Sequence, residues 1–279
     1  MTYLVAVSGG VDSVVLLDML VRRGHDVIVG HVDHGIRCEE SSSDARFVAA
    51  LAQRYGVPCV STALHLDVSA SEATARDARY KFLLEQAAAH HATLATAHHL
   101  DDIVETIVIN LERGTGWRGL AVLGRADIVR PLVKFTKQQL YDYAVRHRLE
   151  WVEDRTNATD DYQRNRVRHR LPVDFAGRGE LGELRVRQLE LRNQIVTESW
   201  RLVDGANRYS RYFYAQIPTE VGMELLGTVV EEKHGIRPTR PRLERALLAI
   251  KTARPGTTIE LGQGVNLAFT SRTFLVKGV

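Results

Sequence analysis

The strongest constraint on the fold is the alternation of strand and helix signals along the first 135 residues. Short apolar runs, such as residues 4–7 and 26–32, alternate with stretches in which apolar residues recur at helical spacing, as at Phe47, Leu51 and Tyr55. Consecutive parallel strands need long crossover connections, and a helix usually supplies them. The sequence therefore predicts an α/β fold in which a parallel sheet carries helices on both faces. The predicted strands are 4–7, 26–32, 58–64, 93–97 and 128–133, and the predicted helices are 14–22, 43–55, 71–90, 101–113 and 136–147.

The pattern changes after Pro172. Residues 176–179 read as a linker, residues 181–209, 221–234 and 240–252 as helices, and Gly262-Gln263-Gly264 as the turn of a β-hairpin. We therefore predict two domains, residues 1–180 and a smaller α+β domain of residues 181–279.

Composition excludes several classes of protein. The chain is 44% hydrophobic and 25% charged, so it can form a sizeable core. Its two cysteines, Cys38 and Cys59, cannot build a disulfide framework. We see no signal peptide and no apolar run long enough to span a membrane, so we expect a cytoplasmic protein without a membrane partner.

Residues 8–13 read Ser-Gly-Gly-Val-Asp-Ser and stand between the first predicted strand and the first predicted helix. The two glycines allow a tight turn and a close backbone approach, and the start of the helix presents unpaired N–H groups. Together with the serine hydroxyls they predict a cradle for a polyphosphate anion, and Asp12 within it predicts a bridging Mg²⁺. A glycine turn that only closes the strand–helix unit is the alternative.

Two further motifs follow predicted strands at the edge where such sheets bind ligands. Residues 31–37 read His-Val-Asp-His-Gly-Ile-Arg, and residues 98–102 read His-His-Leu-Asp-Asp, running on to Glu105 and Thr106. The carboxylates of Asp12 and Asp102 suit Mg²⁺ better than Zn²⁺, which favours cysteine and histidine. A helix capped by Asp101 is the structural alternative for the second motif.

Residues 114–119 read Gly-Thr-Gly-Trp-Arg-Gly and match the dinucleotide fingerprint Gly-x-Gly-x-x-Gly. That fingerprint must follow a strand, whereas residues 103–111 read as a helix, so we expect a substrate-facing loop here. Four arginines at 164, 166, 168 and 170 form a basic run. They predict either phosphate recognition or a solvated helix face.

The loop of residues 8–13 resembles the pyrophosphate loop of the PP-loop ATP pyrophosphatases, which split ATP between the α and β phosphates. Combined with the motifs described above and with Arg130-Pro131-Leu132, it resembles the tRNA(Ile)-lysidine synthetase family. The pattern Glu72-Ala73, Ala75-Arg76 and Arg79-Tyr80 also fits that family. A tRNA-thiolating relative, which usually needs catalytic cysteines, and a non-catalytic nucleotide-binding module are the rival interpretations.

The resemblance implies a carbon–nitrogen ligase that uses ATP and Mg²⁺ to attach free L-lysine to carbon 2 of the wobble cytidine of tRNA(Ile) with a CAU anticodon. Codon reading would change from AUG to AUA, and amino-acid identity from Met to Ile. Residues 1–180 would be catalytic, residues 181–279 would bind tRNA, and the family suggests a homodimer. The implied ATP-binding residues are Ser8, Gly9, Gly10, Asp12, Ser13 and His34, the metal ligands are Asp12 and Asp102, and the catalytic residues are Asp102, Asp33, Arg164 and Arg166.

Overall fold

The computed structural model describes residues 1–33, 38–64, 72–153, 163–172, 175–203 and 207–278. The chain forms two compact units, Met1–Leu189 and Glu190–Val279. Each unit has a hydrophobic core of its own. The boundary between the units lies inside one long helix, whereas the sequence predicts a division at residue 180.

The first unit is built on a five-stranded parallel sheet, in the order β3-β2-β1-β4-β5. The predicted α/β fold is confirmed. The strands are β1 (Thr2–Ala6), β2 (Asp26–Asp33), β3 (Cys59–Ala63), β4 (Thr93–Ala95) and β5 (Ile128–Val129). The strand β5 is shorter than the sequence predicts because Pro131 lacks the N–H group that would continue the ladder.

Helices join and cover these strands. They are α1 (Val11–Arg22), α2 (Cys38–Tyr55), α3 (Glu72–Ala89), α4 (Leu100–Glu112), a 3₁₀ helix (Trp117–Leu120), α5 (Lys137–Arg146), α6 (Gln163–Arg170) and α7 (Arg178–Val203). The predicted linker at 176–179 is wrong in its second half, because α7 begins at Arg178. The guanidinium of Arg178 donates to the carbonyl oxygens of Pro172 and Phe175, at 2.9 and 3.2 Å, which fixes the start of the helix.

Side chains alternate across the sheet because successive residues of a strand point to opposite faces. In β1, Val5 packs into the core shared with α1, α2 and α5, whereas its neighbour Leu4 packs against α3 on the other face. On the α3 face a Cβ at Gly30 of β2 would come within 2.8 Å of both Leu4 and Leu83. Glycine at this position therefore lets α3 lie close to the sheet.

The second unit contains a four-stranded antiparallel sheet, in the order β6-β9-β8-β7, packed with helices that include the C-terminal half of α7, whose Val203 lies in this core. Its elements are β6 (Tyr209–Ser210), α8 (Arg211–Gln216), α9 (Thr219–His234), α10 (Arg240–Thr252), β7 (Thr258–Gly262), β8 (Val265–Phe269) and β9 (Thr273–Lys277). The predicted hairpin at 262–264 is confirmed as the β7–β8 turn, in which all three residues have positive φ. The described residues contain no helix that is long and apolar enough to cross a membrane.

Candidate active site

The loop of residues 8–13 lies where β1 ends and α1 begins, at the carboxyl edge of the parallel sheet. Gly9 has a φ of +95°, a conformation that a residue with a side chain adopts only under strain. Gly10 is the N-cap residue of α1, and no side chain caps the helix. The first N–H groups of α1 therefore remain available to an anion at this edge.

The two serines of the loop differ in what they can do. Ser13 is buried, donates its hydroxyl to the carbonyl oxygen of Gly10 at 2.8 Å and accepts from the backbone N–H of Ser8 at 3.2 Å. Ser8 is exposed, and its hydroxyl oxygen lies 3.4 Å from that of Ser13. Ser13 thus holds the loop in shape, and Ser8 is the hydroxyl that a ligand can reach.

Asp12, in the first turn of α1, forms an ion pair with Lys137, the first residue of α5. The Lys137 ammonium lies 2.8 and 2.7 Å from the two carboxylate oxygens. Both side chains reach solvent, with 49% of Lys137 and 27% of Asp12 exposed. A cation can therefore replace Lys137 at the Asp12 carboxylate, and a phosphate can replace Asp12 at the Lys137 ammonium.

His99 draws together three carboxylates. Its Nε2 lies 3.8 Å from Asp12 Oδ2 and 3.6 Å from Asp102 Oδ2, and its Nδ1 lies 3.6 Å from Asp101 Oδ2. The side chain is only 5% exposed. Burial alone would lower the pKa of His99, but Asp101, Asp102 and Asp12 outweigh it and raise that pKa. The three carboxylates therefore favour the charged form of the imidazole.

Asp101 braces the site. It accepts from the backbone N–H of Lys137 at 2.7 Å and from Arg178 Nε at 2.6 Å. Burial would raise the pKa of Asp101, but His99 and these two donors hold it far below its usual range. The alternative in which Asp101 caps the helix is wrong, because α4 begins at Leu100 and His99 is its N-cap residue.

Asp102 takes part in that cap. Its Oδ2 accepts from the backbone N–H of His99 at 2.9 Å, in the manner of the third residue of a capping box. Only 14% of its side chain is exposed. The predicted catalytic carboxylate is thus also tied to the start of α4, which fixes its direction beside Asp12.

A second buried ion pair joins α4 to α6. Glu105 is 2% exposed and accepts from Arg168 Nε at 2.7 Å and from Arg168 Nη2 at 3.1 Å. These hydrogen bonds raise the pKa of Arg168. A phosphate contact by Arg168 would have to use its remaining N–H groups.

The other arginines of the run differ in position. Arg166 is exposed on α6, and Arg170 lies 3.6 Å from Glu112. The side chain of Arg164 lies outside the described residues. The roles of Arg164 and Arg166 stay predictions.

The motif at 31–37 divides into two parts. His31 is buried in β2, and its Nδ1 lies 2.8 Å from the carbonyl oxygen of Val7, so it serves the sheet. Asp33 ends β2 at the carboxyl edge and is half-buried. His34, predicted to bind ATP, lies outside the described residues together with 35–37.

The Gly-x-Gly-x-x-Gly stretch follows the helix α4, as the sequence predicts, and leads into the 3₁₀ helix. The side chain of Asn110 donates to the carbonyl oxygen of Gly119 at 2.8 Å and closes the loop. The stretch therefore lacks the preceding strand that a dinucleotide fingerprint requires.

Mg²⁺ fits the donor set of this site. Mg²⁺ is usually held by one or two carboxylates together with substrate phosphates and water. Asp12 and Asp102 converge on the same nitrogen of His99, beside the start of α1. Within the described ranges no group of three or more His, Cys, Asp or Glu side chains could hold a metal by itself. Phosphate oxygens would have to complete the coordination.

The sequence alone does not reveal Lys137, Arg178 or the partner of Glu105. The pattern Thr136-x-x-Gln139 is a capping box, and the structure confirms it as the start of α5. Since α5 follows β5, that signal places Lys137 at the carboxyl edge. No local pattern connects Arg178 with Asp101, 77 residues away.

Residues 1–173 match the family described as the PP-loop domain. Curated relatives named tRNA(Ile)-lysidine synthase are 43% identical over 174 residues in Exiguobacterium sibiricum (60% of this chain, 42% of the relative). In Solibacter usitatus the identity is 41% over 177 residues (62% and 40%), and in Bacillus subtilis 40% over 183 residues (60% and 39%). The matches thus span about two fifths of the length of these relatives.

Among solved structures, the chain is similar to the U34-tRNA thiolase NcsA from Methanococcus maripaludis with its [4Fe-4S] cluster. The TM-score is 0.58 at 18% identity, over 68% of this chain and 73% of the thiolase. This likeness shows the fold. Because the family match covers more than half of the chain and contains the whole loop of residues 8–13, the chain belongs to the PP-loop domain family.

Proposed function

We propose that the chain is a tRNA(Ile)-lysidine synthetase. One observation carries the proposal: about three fifths of the chain is about 40% identical to several curated tRNA(Ile)-lysidine synthases. The PP-loop domain match over residues 1–173 contains the loop, His99 and Asp102. The site supports it, because an open helix N-terminus and two converging carboxylates suit ATP with Mg²⁺. In this proposal the enzyme ligates free L-lysine to carbon 2 of the wobble cytidine of tRNA(Ile) with a CAU anticodon.

In the first step the oxygen on carbon 2 of the cytosine attacks the α-phosphorus of ATP. A phosphorus–oxygen bond forms to the base, the bond to the bridging oxygen breaks, and pyrophosphate leaves. Ser8, Gly9 and Gly10 cradle the leaving pyrophosphate, and Ser13 keeps the loop in shape. Asp12 and Asp102 would hold Mg²⁺, which would supply charge neutralisation at the phosphates.

Lys137 exchanges partners when ATP binds. In the structure its ammonium neutralises Asp12. With Asp12 assigned to the metal, the Lys137 ammonium would donate to a phosphate oxygen of ATP instead. This keeps the charge of the loop balanced in both states.

In the second step the ε-amino nitrogen of lysine attacks carbon 2, a carbon–nitrogen bond forms, and AMP leaves with the oxygen. The lysine ammonium must first lose a proton, and Asp102 is the proposed acceptor when it is not serving the metal. Asp33, at the end of β2, orients nucleotide or lysine. Arg164 and Arg166 contact phosphate of ATP or tRNA.

The modified base pairs with A instead of G, so the codon read changes from AUG to AUA and the amino acid from Met to Ile. The second unit contacts the tRNA in this proposal. A homodimer and a cytoplasmic location remain predictions.

The thiolase similarity favours no second function. The name of that protein includes a [4Fe-4S] cluster, and such clusters are usually held by four cysteine thiolates. This chain contains two cysteines, and Cys59 is exposed on β3.

The test is incorporation of labelled lysine into two transcripts that share a CAU anticodon, tRNA(Ile) and elongator tRNA(Met), with ATP and Mg²⁺. We expect label in tRNA(Ile) only, with AMP and pyrophosphate released in equal amounts. Pyrophosphate release without lysine incorporation would agree with ATP cleavage at the loop of residues 8–13 but would refute the proposed substrate.

A further inference from the structure

Two motifs that the proposed chemistry does not use meet around Tyr80. Arg76 and Arg79 of α3 lie with their guanidinium carbons 5.6 Å from the centroid of the Tyr80 ring, and Arg125 lies at 5.7 Å. Arg130, which follows β5, is near enough to Arg76 and Arg125 for their charges to interact with its own. The Tyr80 cluster is defined as Arg76, Arg79, Arg125 and Arg130 around Tyr80.

Arg185 of α7 lies beside the cluster, near enough to Arg130 for the two charges to interact, and it packs against the segment that leads to Arg125. It is 8% exposed and donates to the carbonyl oxygens of Val122 and Leu123, at 2.9 and 3.1 Å. Carbonyl oxygens satisfy its N–H groups but carry no net charge. Arg185 thus adds a buried positive charge beside the cluster.

The positive charge of the cluster is only partly compensated. Arg125 pairs with Asp127 at 2.6 Å. Arg130 donates to the carbonyl oxygen of Ile128 at 3.1 Å, and its buried Nε has no hydrogen-bond partner among the described residues. Burial lowers the pKa of Arg130 and of Arg185, and neighbouring arginines lower both further, although Tyr80 and Asp127 act against the lowering at Arg130. Burying a cation is costly unless it is fully paired, and the cluster holds more arginines than the carboxylates that act on it, so an anion here would stabilise the protein.

Three members of the cluster, Arg130, Arg76 and Arg79, lie towards the edge of the sheet that holds the candidate active site. Arg130 follows Val129, whose carbonyl oxygen accepts from the backbone N–H of Thr96 at 3.0 Å, just beyond the end of β4. Arg76 and Arg79 lie in the first half of α3, which begins at the carboxyl edge because it follows the parallel strand β3. A polymeric anion bound at this edge can therefore meet both places.

We propose that the Tyr80 cluster binds a backbone phosphate of the RNA whose wobble nucleotide enters the active site. The inference rests on the proposed function for the identity of the RNA. Guanidinium groups suit a phosphodiester because they donate paired hydrogen bonds to its oxygens. Phosphate contacts of this kind position a nucleic acid without reading its sequence.

The experiment measures binding of a fluorescent anticodon stem-loop with a CAU anticodon to the full chain over a series of salt concentrations. The variants are Arg76→Gln, whose side chain is exposed, and Arg130→Gln, which removes the unpartnered nitrogen. Arg23→Gln is the matched control, because Arg23 is an exposed arginine at the opposite edge, after α1. Thermal unfolding of each variant checks its fold.

We expect each cluster variant to bind the stem-loop about tenfold more weakly, because a charged hydrogen bond to phosphate is removed. We also expect the slope of log affinity against log salt to fall by about 0.7–0.9 for each phosphate that the variant no longer neutralises. The control should keep the wild-type affinity and slope. If Arg76→Gln, folded, binds with unchanged affinity and slope, the inference is wrong.

Two parallel measurements separate the sources of phosphate. Affinities for pyrophosphate and for ATP should be unchanged in the cluster variants. A loss there, with RNA binding intact, would assign the cluster to the nucleotide and overturn the inference. Lysine incorporation by the wild type tests the proposed function separately, since its failure with RNA binding and salt slopes as expected would leave the phosphate site standing.

Discussion

Two aspartates of the same helix show how a functional carboxylate differs from a structural one. Asp12, in the first turn of α1, forms an ion pair with the exposed side chain of Lys137, and 27% of its own side chain is exposed. Asp18, farther along α1, has no exposed surface. The hydroxyls of Tyr55 and Tyr143 each donate to it at 2.7 Å, and Arg22 donates to both of its oxygens.

The two carboxylates differ in whether a ligand could still replace one of their hydrogen-bond or ion-pair partners. Asp18 is saturated by neutral and cationic donors from three helices, so it pins α2 and α5 to α1. Burial would raise the pKa of Asp18, but the hydrogen bonds from Tyr55, Tyr143 and Arg22 lower it below its usual value. Asp12 keeps an exchangeable partner at the edge where ligands bind. A functional carboxylate in this fold is recognised by its replaceable partner and not by its residue type.

The largest expected effect is on lysine transfer. Asp102→Asn keeps an acceptor for the His99 backbone N–H but removes the negative charge, so we expect an activity about a thousandfold lower in a folded protein. Asp26→Asn is the control, because Asp26 is exposed at the opposite edge of the sheet. Labelled-lysine incorporation measures both variants, and near-normal turnover by Asp102→Asn would remove Asp102 from the catalytic residues.

Asp18→Ala should act on stability. The change leaves two tyrosine hydroxyls and a guanidinium without their shared acceptor, and we expect a free energy of unfolding about 3 kcal/mol lower. Urea unfolding followed by circular dichroism measures it. A loss below about 1 kcal/mol would show that Asp18 does not hold the three helices together.

Lys137→Gln should weaken ATP binding. If Lys137 passes from Asp12 to a phosphate oxygen, the loss of that charged hydrogen bond should raise the KM for ATP about tenfold at saturating Mg²⁺. Lys137→Arg should restore most of the affinity. An unchanged KM would show that Lys137 does not contact ATP and pairs with Asp12 only in the ligand-free protein.

Acid should weaken the fold through the buried carboxylates. The folded-state pKa values of Asp18 and Asp101 are lowered, so their contribution to stability is full above the unfolded pKa of about 3.9. It is lost as the pH falls through the lower folded-state values. Urea midpoints should therefore drop below about pH 4 in the wild type and drop less steeply in Asp18→Asn. Parallel curves for the two proteins would contradict this.

The smallest effect is expected for the surface pair of Arg54 and Glu150. Their side chains are 57% and 67% exposed although their atoms lie 2.8 Å apart. Solvent and salt screen such pairs, so Arg54→Ala should leave the urea midpoint unchanged within error. A clear drop in the urea midpoint would mean that the contribution of an ion pair to stability depends here on the distance between its atoms and not on burial.

The sequence predicts the elements of the fold that have a local sequence pattern. The apolar runs and helical periodicities recover the parallel sheet, and Gly262-Gln263-Gly264 recovers the hairpin. The strand β5 is overestimated because Pro131 interrupts pairing after an apolar run. The start of α7 is missed because the bond of Arg178 with Asp101 is not visible locally.

The sequence predicts several residues of the candidate site, but it does not predict their hydrogen-bond and ion-pair partners. The loop of residues 8–13 and the pair His99 and Asp102 form the expected cluster. The partnership of Asp12 with Lys137 spans 125 residues, and only the assembled sheet edge brings the two together. In the motif of residues 31–37, the contact of His31 Nδ1 with the carbonyl oxygen of Val7 is likewise not visible in the sequence.

The comparison between Asp12 and Asp18 is tested most directly by the shift in thermal unfolding temperature that ATP with Mg²⁺ produces in three proteins. A ligand that binds only the folded state raises this temperature. We expect a clear shift in the wild type and in Asp18→Asn, which starts from a lower unfolding temperature, and little or none in Asp12→Asn. An equal shift in Asp12→Asn would contradict the placement of Asp12 at the nucleotide.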